Sequence, residues 1–363
     1  MTVTRLIDLP ASPGNPRNSE GSFLKLKDDR IAFLYSRYSG TSSDDHAYAE
    51  VAVIFYDGTA WTEPRVLLRP EPGTDETNYM SVSTARMHNG DAAVIYLVKH
   101  RGISSEVLLR RSTDEFETLG EPVRCVSPNY PGYYVVNNDR MVSLSDGRWM
   151  IPAAIHPSSM GYHGIEDVVD YRSKCAFYAS SDDGRTWRQV SDSVGLPGGA
   201  HSHSGLQEPG VTELSGGTLY AYFRTDLGRH YESFSVDGGV SWTAPQPSGF
   251  TGPCSPLLIK KNEFSGKYVA VWNPIPEVPF RWLHSEKPKI GTGGRTPLVI
   301  ACSDDGVRFG KPELIETDPE GGFCYPAILF LSESEMLLAY CAGSGATGDE
   351  NCLTRTRIVK ITL

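Results

Sequence analysis

Four residues in the second half of this chain have types that could do chemistry together. Glu208 stands in Leu206-Gln207-Glu208-Pro209-Gly210, and Arg224 ends the next apolar run in Tyr222-Phe223-Arg224-Thr225. Arg295 follows in Gly293-Gly294-Arg295-Thr296-Pro297, and Tyr325 in Phe323-Cys324-Tyr325-Pro326. An arginine's planar fork binds both oxygens of a carboxylate, so two arginines describe a grip on an acidic group. Carboxylates and phenols are groups that move protons and attack electrophiles when they are brought together. Nearer the N-terminus, Arg37 ends another apolar run, and a polar loop carrying Asp44, Asp45 and His46 follows it.

These residues fall at the edges of a repeat. Ser180-Ser181-Asp182-Asp183-Gly184-Arg185-Thr186-Trp187 returns as Ser235-Val236-Asp237-Gly238-Gly239-Val240-Ser241-Trp242, and again, worn, from Cys302 to Phe309. Shorter copies run from Phe55 to Trp61 and from Ser112 to Phe116. The pattern is the Asp-box, a hairpin turn. Its Ser and Asp bond nearby N–H groups, its Gly supplies a positive φ, and its Trp anchors the hairpin. The acids of these phrases are therefore read as structural. Taken at Asp57, Asp114, Asp182, Asp237 and Asp304 they lie 55 to 68 residues apart, which fits about six units in the chain.

A second repeat runs in phase: apolar strand, tight turn, apolar strand. Its copies span Gly21 to Tyr35, Val82 to Tyr96, Met141 to Pro152, Val211 to Phe223, Leu257 to Trp272 and Ala327 to Tyr340. Residues 1–363 are read as one all-β domain, a six-bladed β-propeller of four-stranded antiparallel blades. The alternating run from Leu353 to Leu363 is expected to pair with Val3 to Leu9 and close the ring.

Composition agrees and sets bounds. The chain has 36 Gly and 25 Pro, which suit many short strands and turns, and no sustained helical period. A net charge of −10 argues against a nucleic-acid partner, and no apolar run reaches a membrane span. The seven cysteines include no C-x-x-C pair and are read as buried reduced thiols, with Cys324 and Cys341 able to meet across one hairpin. His201 and His203 precede Glu208 but lack a third ligand, so no metal and no cofactor are expected. Met1-Thr2-Val3-Thr4-Arg5 has no basic segment leading into an apolar core. The expectation is a cytoplasmic protein, or a secreted one had a leader been removed.

On the Asp-boxes and on the order Glu208-Pro209, Arg224, Asp-box, Arg295, Tyr325, the chain resembles the sialidase (neuraminidase) superfamily. The resemblance implies that Tyr325 is the nucleophile and Glu208 the base that activates it. It implies Arg224 and Arg295 as the carboxylate grip, with Arg37 supporting the pocket. A loop Asp after Arg37 would be the acid/base; Asp44 and Asp45 both fit, and Asp45 is preferred. The implied activity is that of a retaining exo-glycosidase releasing a terminal acidic sugar, most simply α-linked sialic acid, from a glycan or small acidic-sugar substrate. The chemistry is coherent: a carboxylate nucleophile would meet the sugar's own carboxylate with like-charge repulsion, and a neutral tyrosine avoids it.

One motif departs from the family. The first arginine of the usual triad falls at Ser19, in Asn18-Ser19-Glu20-Gly21. Arg17 is the nearest substitute. Glu20 is expected to face the pocket, where it would repel a carboxylate. Asn137-Asn138-Asp139-Arg140 precedes an inner strand and His156 ends the next one, so Asp139, Arg140 and His156 are expected to line the same pocket. Linkage preference would rest on rim loops such as Tyr162 to Tyr171 and Trp272 to Lys289. Two other readings stay open: the same scaffold acting on a different acidic or deoxy sugar, as hydrolase or lyase, and a glycan-binding propeller without catalysis.

Overall fold

The computed structural model describes residues 1–101, 104–127, 132–158, 170–197, 201–275 and 292–363. Nearly all regular structure in them is β-strand, arranged as successive antiparallel meanders. The first runs Asn18–Lys25, Ile31–Tyr38, Ala49–Tyr56 and Arg65–Leu68, and the second Glu76–Arg86, Ala92–His100, Ser105–Ser112 and Val123–Arg124. The third has a divided inner strand, Gly132–Val135 and Val142–Ser143, against Trp149–Pro157, Lys174–Ser180 and Arg188–Gln189. The fourth is Gln207–Glu213, Leu219–Arg224, Arg229–Ser235 and Gln246–Thr251. The fifth is Leu258–Lys261, Tyr268–Trp272, Leu298–Ser303 and Glu313–Glu316. The last is Gly321–Phe330, Glu335–Ser344 and Thr356–Thr362, with Thr2–Leu9 from the other end of the chain as its outer strand.

The expectation of six separate four-stranded sheets is modified. Among the described residues hydrogen bonding defines five sheets, because the first two meanders join into one of eight strands. The join is a single parallel pair, Ala49 with Asn78, and the third sheet gains a fifth strand from its divided inner edge.

Each strand alternates its side chains between two faces, so both faces of every sheet must be covered. Apolar clusters do this between consecutive meanders. Leu24, Leu34 and Val53 of the first pack with Val82, Val94 and Phe116 of the second. Phe177 and Met150 of the third pack with Leu219 and Phe223 of the fourth. Ala339 and Ile358 of the last pack with Phe33 and Ile54 of the first. The layers therefore return to their start, and the fold is an all-β propeller.

The Asp-boxes fasten the outer hairpins. Asp182 accepts from the Thr186 N–H at 2.8 Å and its hydroxyl at 2.6 Å, while Ser180 Oγ accepts from the Gly184 N–H at 2.7 Å. Trp242 of the next box stacks on Phe177 of the preceding sheet at 4.0 Å, so each box also locks neighbouring layers. In the copy starting at Ser303 the acting acid is Asp305 rather than Asp304. Ser303 Oγ bonds Asp305 and the Gly306 N–H, and the loop is one residue shorter. At Phe116 an aromatic residue takes the positive φ that glycine supplies elsewhere.

Hydrogen bonds to Ser241 hold Asp237 down to about 2, and those to Thr118 do the same for Asp114. A carboxyl lowered in the folded state stabilises above its ordinary value of 3.8 and loses that contribution as pH falls toward 2. Asp182→Ala is expected to cost about 1 kcal/mol of stability and to leave kcat/KM unchanged; thermal unfolding beside a kinetic assay checks both.

Candidate active site

The inner edge of the ring carries a device that recurs in every meander. Glu20, Ser81, Asp139, Glu208, Cys254 and Tyr325 all have positive φ, between 45° and 56°. They sit in the innermost strand or just before it. In four of them the pairing register slips at that point, between Ser19 and Ser22, Met80 and Ser83, Gln207 and Gly210, and Cys324 and Ala327. Such bulges re-aim a side chain, and non-glycine residues held at positive φ concentrate at functional sites. Gly210 shows how tightly the bulge packs: a Cβ there would lie 2.1 Å from the Tyr222 ring.

Four of these six residues meet in two pairs, Ser81 with Glu20 and Tyr325 with Glu208. The Tyr325 hydroxyl donates to Glu208 Oε1 at 2.8 Å. The same oxygen accepts from Arg224 Nη1, which ends the neighbouring strand. The Arg295 guanidinium lies 5.4 Å from the centre of the Tyr325 ring. Desolvation pushes the Glu208 carboxyl up, but Arg224, Arg295 and the tyrosine hydroxyl outweigh it and hold it below the usual carboxylate range. Desolvation and the Glu208 charge drive the Tyr325 phenol well above its ordinary value, only partly offset by the two arginines. The pair therefore rests as an ionised carboxylate holding a neutral phenol's proton.

The other contacts of both arginines include thiols. Arg224 Nε approaches Cys254 Sγ at 3.2 Å, and Arg295 Nη1 approaches Cys324 Sγ at 3.2 Å. Thiols are weak acceptors, so with Arg224 paired to Glu208 the charge of Arg295 stays largely available to an incoming anion. The cysteines among the described residues are reduced, and Cys324 and Cys341 face each other across one hairpin.

A cavity of about 190 Å³ opens above the pair. Tyr325, Glu208, Glu20, Asp45, Lys99 and His156 are among the residues that line it. Burial pushes His156 below its ordinary value, so it is a neutral imidazole at neutral pH. Glu20 is 5% exposed and accepts from the Ser81 hydroxyl at 2.8 Å. Desolvation raises it despite Arg17 at 3.1 Å. Asp45 is exposed at the rim. Its surroundings push it up, but Arg17 at 2.5 Å and the Lys99 charge outweigh that and lower it.

Arg224 and Arg295 touch the Glu208–Tyr325 pair but are not among the residues that line this cavity, and four further expected pocket residues lie elsewhere. Arg17 is 1% exposed and spends its guanidinium on Asp45, Glu20 and the Ser19 hydroxyl, with the Tyr38 ring 4.5 Å away. It supports the wall and offers no open fork. Arg37 is turned away by Glu50, which it meets at 2.7 Å. Asp139 points below the site, where Lys260 Nζ, the Ser22 hydroxyl and the Ile328 N–H bind it. Arg140 follows it into a second cavity. Of that cluster only Asn137 reaches the first cavity, while Asn138 donates to the Gly21 and Tyr325 carbonyls and fixes the backbone beneath the tyrosine.

Lys99 is the residue that sequence reasoning missed. It is 4% exposed, and its Nζ donates to the Asp45 carbonyl at 2.6 Å. A signal existed: Lys99 stands at the end of the second strand of its meander, as Arg37, His156 and Arg224 do in theirs. Among the described residues no group of His, Cys, Asp and Glu is arranged to hold a metal ion, and no helix is long and apolar enough to cross a membrane. The two rim loops fall largely outside the described residues.

The sequence profile of the BNR repeat-like domain matches residues 32–337. No curated protein sequence matches the chain. A leech intramolecular trans-sialidase complexed with 2,7-anhydro-Neu5Ac superposes with a TM-score of 0.72 at 14% identity, covering 100% of this chain and 70% of that one. An intramolecular trans-sialidase from Ruminococcus gnavus, in complex with oseltamivir carboxylate, gives 0.71 at 12% identity over 99% and 97%. A Dyadobacter fermentans protein of unknown function gives 0.71 at 16% identity over 99% of each chain. The chain thus shares the sialidase-like propeller fold and belongs to the BNR repeat-like domain family.

Proposed function

We propose that this protein is a retaining glycoside hydrolase of sialidase type that releases a terminal acidic sugar from a glycan. The observation that carries the reading is the 2.8 Å bond from the Tyr325 hydroxyl to Glu208 in the lining of a cavity that Asp45 also borders, with Arg224 bonded to Glu208 and Arg295 beside the Tyr325 ring. The scaffold is read as six blades, with the eight-stranded sheet counted as two because its halves share one residue pair.

In this mechanism Arg224 and Arg295 draw the sugar carboxylate toward Tyr325. The phenol oxygen attacks the anomeric carbon as its proton passes to Glu208, and Asp45 gives a proton to the departing oxygen. Water, deprotonated by Asp45, then replaces the tyrosine, and Glu208 returns its proton. Asp45 is held ionised by Arg17 in the empty site. Substrate over the cavity mouth would exclude water and raise it toward the protonated form that the first step needs.

A second reading has its own observation. Glu20 lines the cavity next to Ser19, the position of the family's first triad arginine, and Arg17 is committed to Glu20 and Asp45. This favours the same chemistry on a different acidic or deoxy sugar, with a hydroxyl rather than a carboxylate oxygen facing Glu20. The deciding measurement is fluorophore release from 4-methylumbelliferyl α-sialoside by the purified protein, beside aryl glycosides of other acidic and deoxy sugars. Turnover of the sialoside supports the first reading. Turnover confined to another sugar supports the second. Saturable glycan binding without release from any of them would sink both and leave a binding propeller.

A further inference from the structure

A second cavity, of about 210 Å³, lies between the inner strands of the third, fourth and fifth meanders, on the side of Asp139 away from Tyr325. Arg140 is the charge that defines it. The residue is 2% exposed, and its Nη2 donates to the Leu257 carbonyl at 2.7 Å. Among the described residues Nε and Nη1 have no hydrogen-bond partner and no carboxylate forms an ion pair with the guanidinium. The Tyr222 ring, 5.5 Å away, offers its face but no counter-charge.

The lining sets Arg140, Lys260 and Lys261 against Asp139 and Glu213, an excess of one positive charge. Asp139 is neutralised by Lys260, whose Nζ reaches both carboxylate oxygens at 2.9 and 3.0 Å. Glu213 is bound at both oxygens by the Ser145 N–H and hydroxyl, at 2.7 and 2.6 Å. Lys261 adds a further positive charge at the mouth, over the Tyr268 ring. The cavity is therefore net positive around a buried guanidinium with unfilled donors. Burying such a group without a counter-charge is costly. The volume exceeds the share of one water, about 30 Å³, several-fold. It suits a tetrahedral oxyanion with a few waters.

We propose that this cavity is a binding site for a small inorganic oxyanion of the phosphate or sulfate type, held by Arg140 with Lys261 at the entrance. The site is separate from the Tyr325 cavity, and the inference stands whatever sugar that cavity takes.

Isothermal titration with inorganic phosphate and sulfate at low ionic strength tests it, together with anomalous diffraction from crystals soaked in selenate. One oxyanion per chain is expected, with the selenate peak against Arg140. Phosphate is expected to raise Tm, because a ligand that binds only the folded state stabilises it; chloride at matched ionic strength is expected not to. Arg140→Met should weaken phosphate at least tenfold. If that variant does not fold, Lys261→Met decides in its place, with affinity lowered about threefold and the selenate peak retained in the wild type. No saturable binding at millimolar phosphate, a selenate peak only elsewhere, or undiminished affinity in a folded Arg140→Met protein overturns the proposal.

Discussion

Tyr325→Phe is expected to lower kcat by about 1,000-fold or more on any substrate the protein turns over, while Tm moves by only a few degrees. The substitution removes one oxygen. The ring that Arg295 approaches at 5.4 Å stays, and Arg224 still holds Glu208 Oε1. Loss of a single hydrogen bond to a carboxylate that keeps its charged partner costs about 1–2 kcal/mol, which bounds the change in stability. Turnover would collapse because no other hydroxyl meets the Glu208 carboxylate among the described residues. Full activity in a folded Tyr325→Phe protein would remove Tyr325 from the mechanism. The acid side of the rate profile offers a second readout. Glu208 must be ionised to accept the phenol proton, and its carboxyl is held below the usual range. The limb that it controls should therefore fall off only below that range, and Arg224→Met, which removes its closest cation, should shift the limb to higher pH.

Much of this was legible in the chain because turns are local. The phrase Ser-x-Asp-x-Gly fixes its own hydrogen bonds within five residues, so the hairpins follow from the sequence without knowledge of the rest of the fold. The same holds for the six inner hairpins. The meeting of Glu208 with Tyr325, 117 residues apart, was reachable only through the family resemblance, since no local pattern encodes it. The ring of positive-φ residues was invisible for a different reason. Its members are Glu, Ser, Asp, Glu, Cys and Tyr, so the repeat lies in the backbone and not in residue type. Arg37, Asp139 and Arg140 were misplaced because a strand end predicts an edge, not which side of the edge a long side chain takes. Glu50, Lys260 and the Leu257 carbonyl decided that by offering partners away from the first cavity. Asp305 displaced Asp304 because the serine, not the aspartate, sets the register of the box.

Arg17→Met is expected to be the most destabilising single change near the site, by about 3–5 kcal/mol at pH 8, the range for breaking a buried ion pair from one side. Arg17 is 1% exposed and stands between two carboxylates, at 3.1 Å from Glu20 and 2.5 Å from Asp45. Without it Glu20 would remain buried with the Ser81 hydroxyl as its hydrogen-bond donor and the weaker influence of the Lys99 charge. The sign of the pH dependence follows. Desolvation already raises the Glu20 carboxyl in the folded protein, and removing the guanidinium raises it further. A carboxyl raised on folding favours the folded state below its unfolded value and withdraws that support as pH climbs through the folded value. The deficit of Arg17→Met should therefore be largest in alkaline solution and shrink as pH falls toward 5. Denaturant unfolding at several pH values checks this, and a deficit that does not vary with pH would mean that Glu20 is not the group left stranded. Arg17→Met with Glu20→Leu should recover most of the loss, since an apolar pair of similar volume has no charge to strand. If the pocket takes a sugar carboxylate, that double variant should also bind the sialoside more tightly than wild type, because a buried carboxylate of the cavity lining is gone. If a hydroxyl faces Glu20 instead, the same variant should lose affinity for the true substrate. The double variant thus separates the two sugar classes while its stability reports on the ion pair.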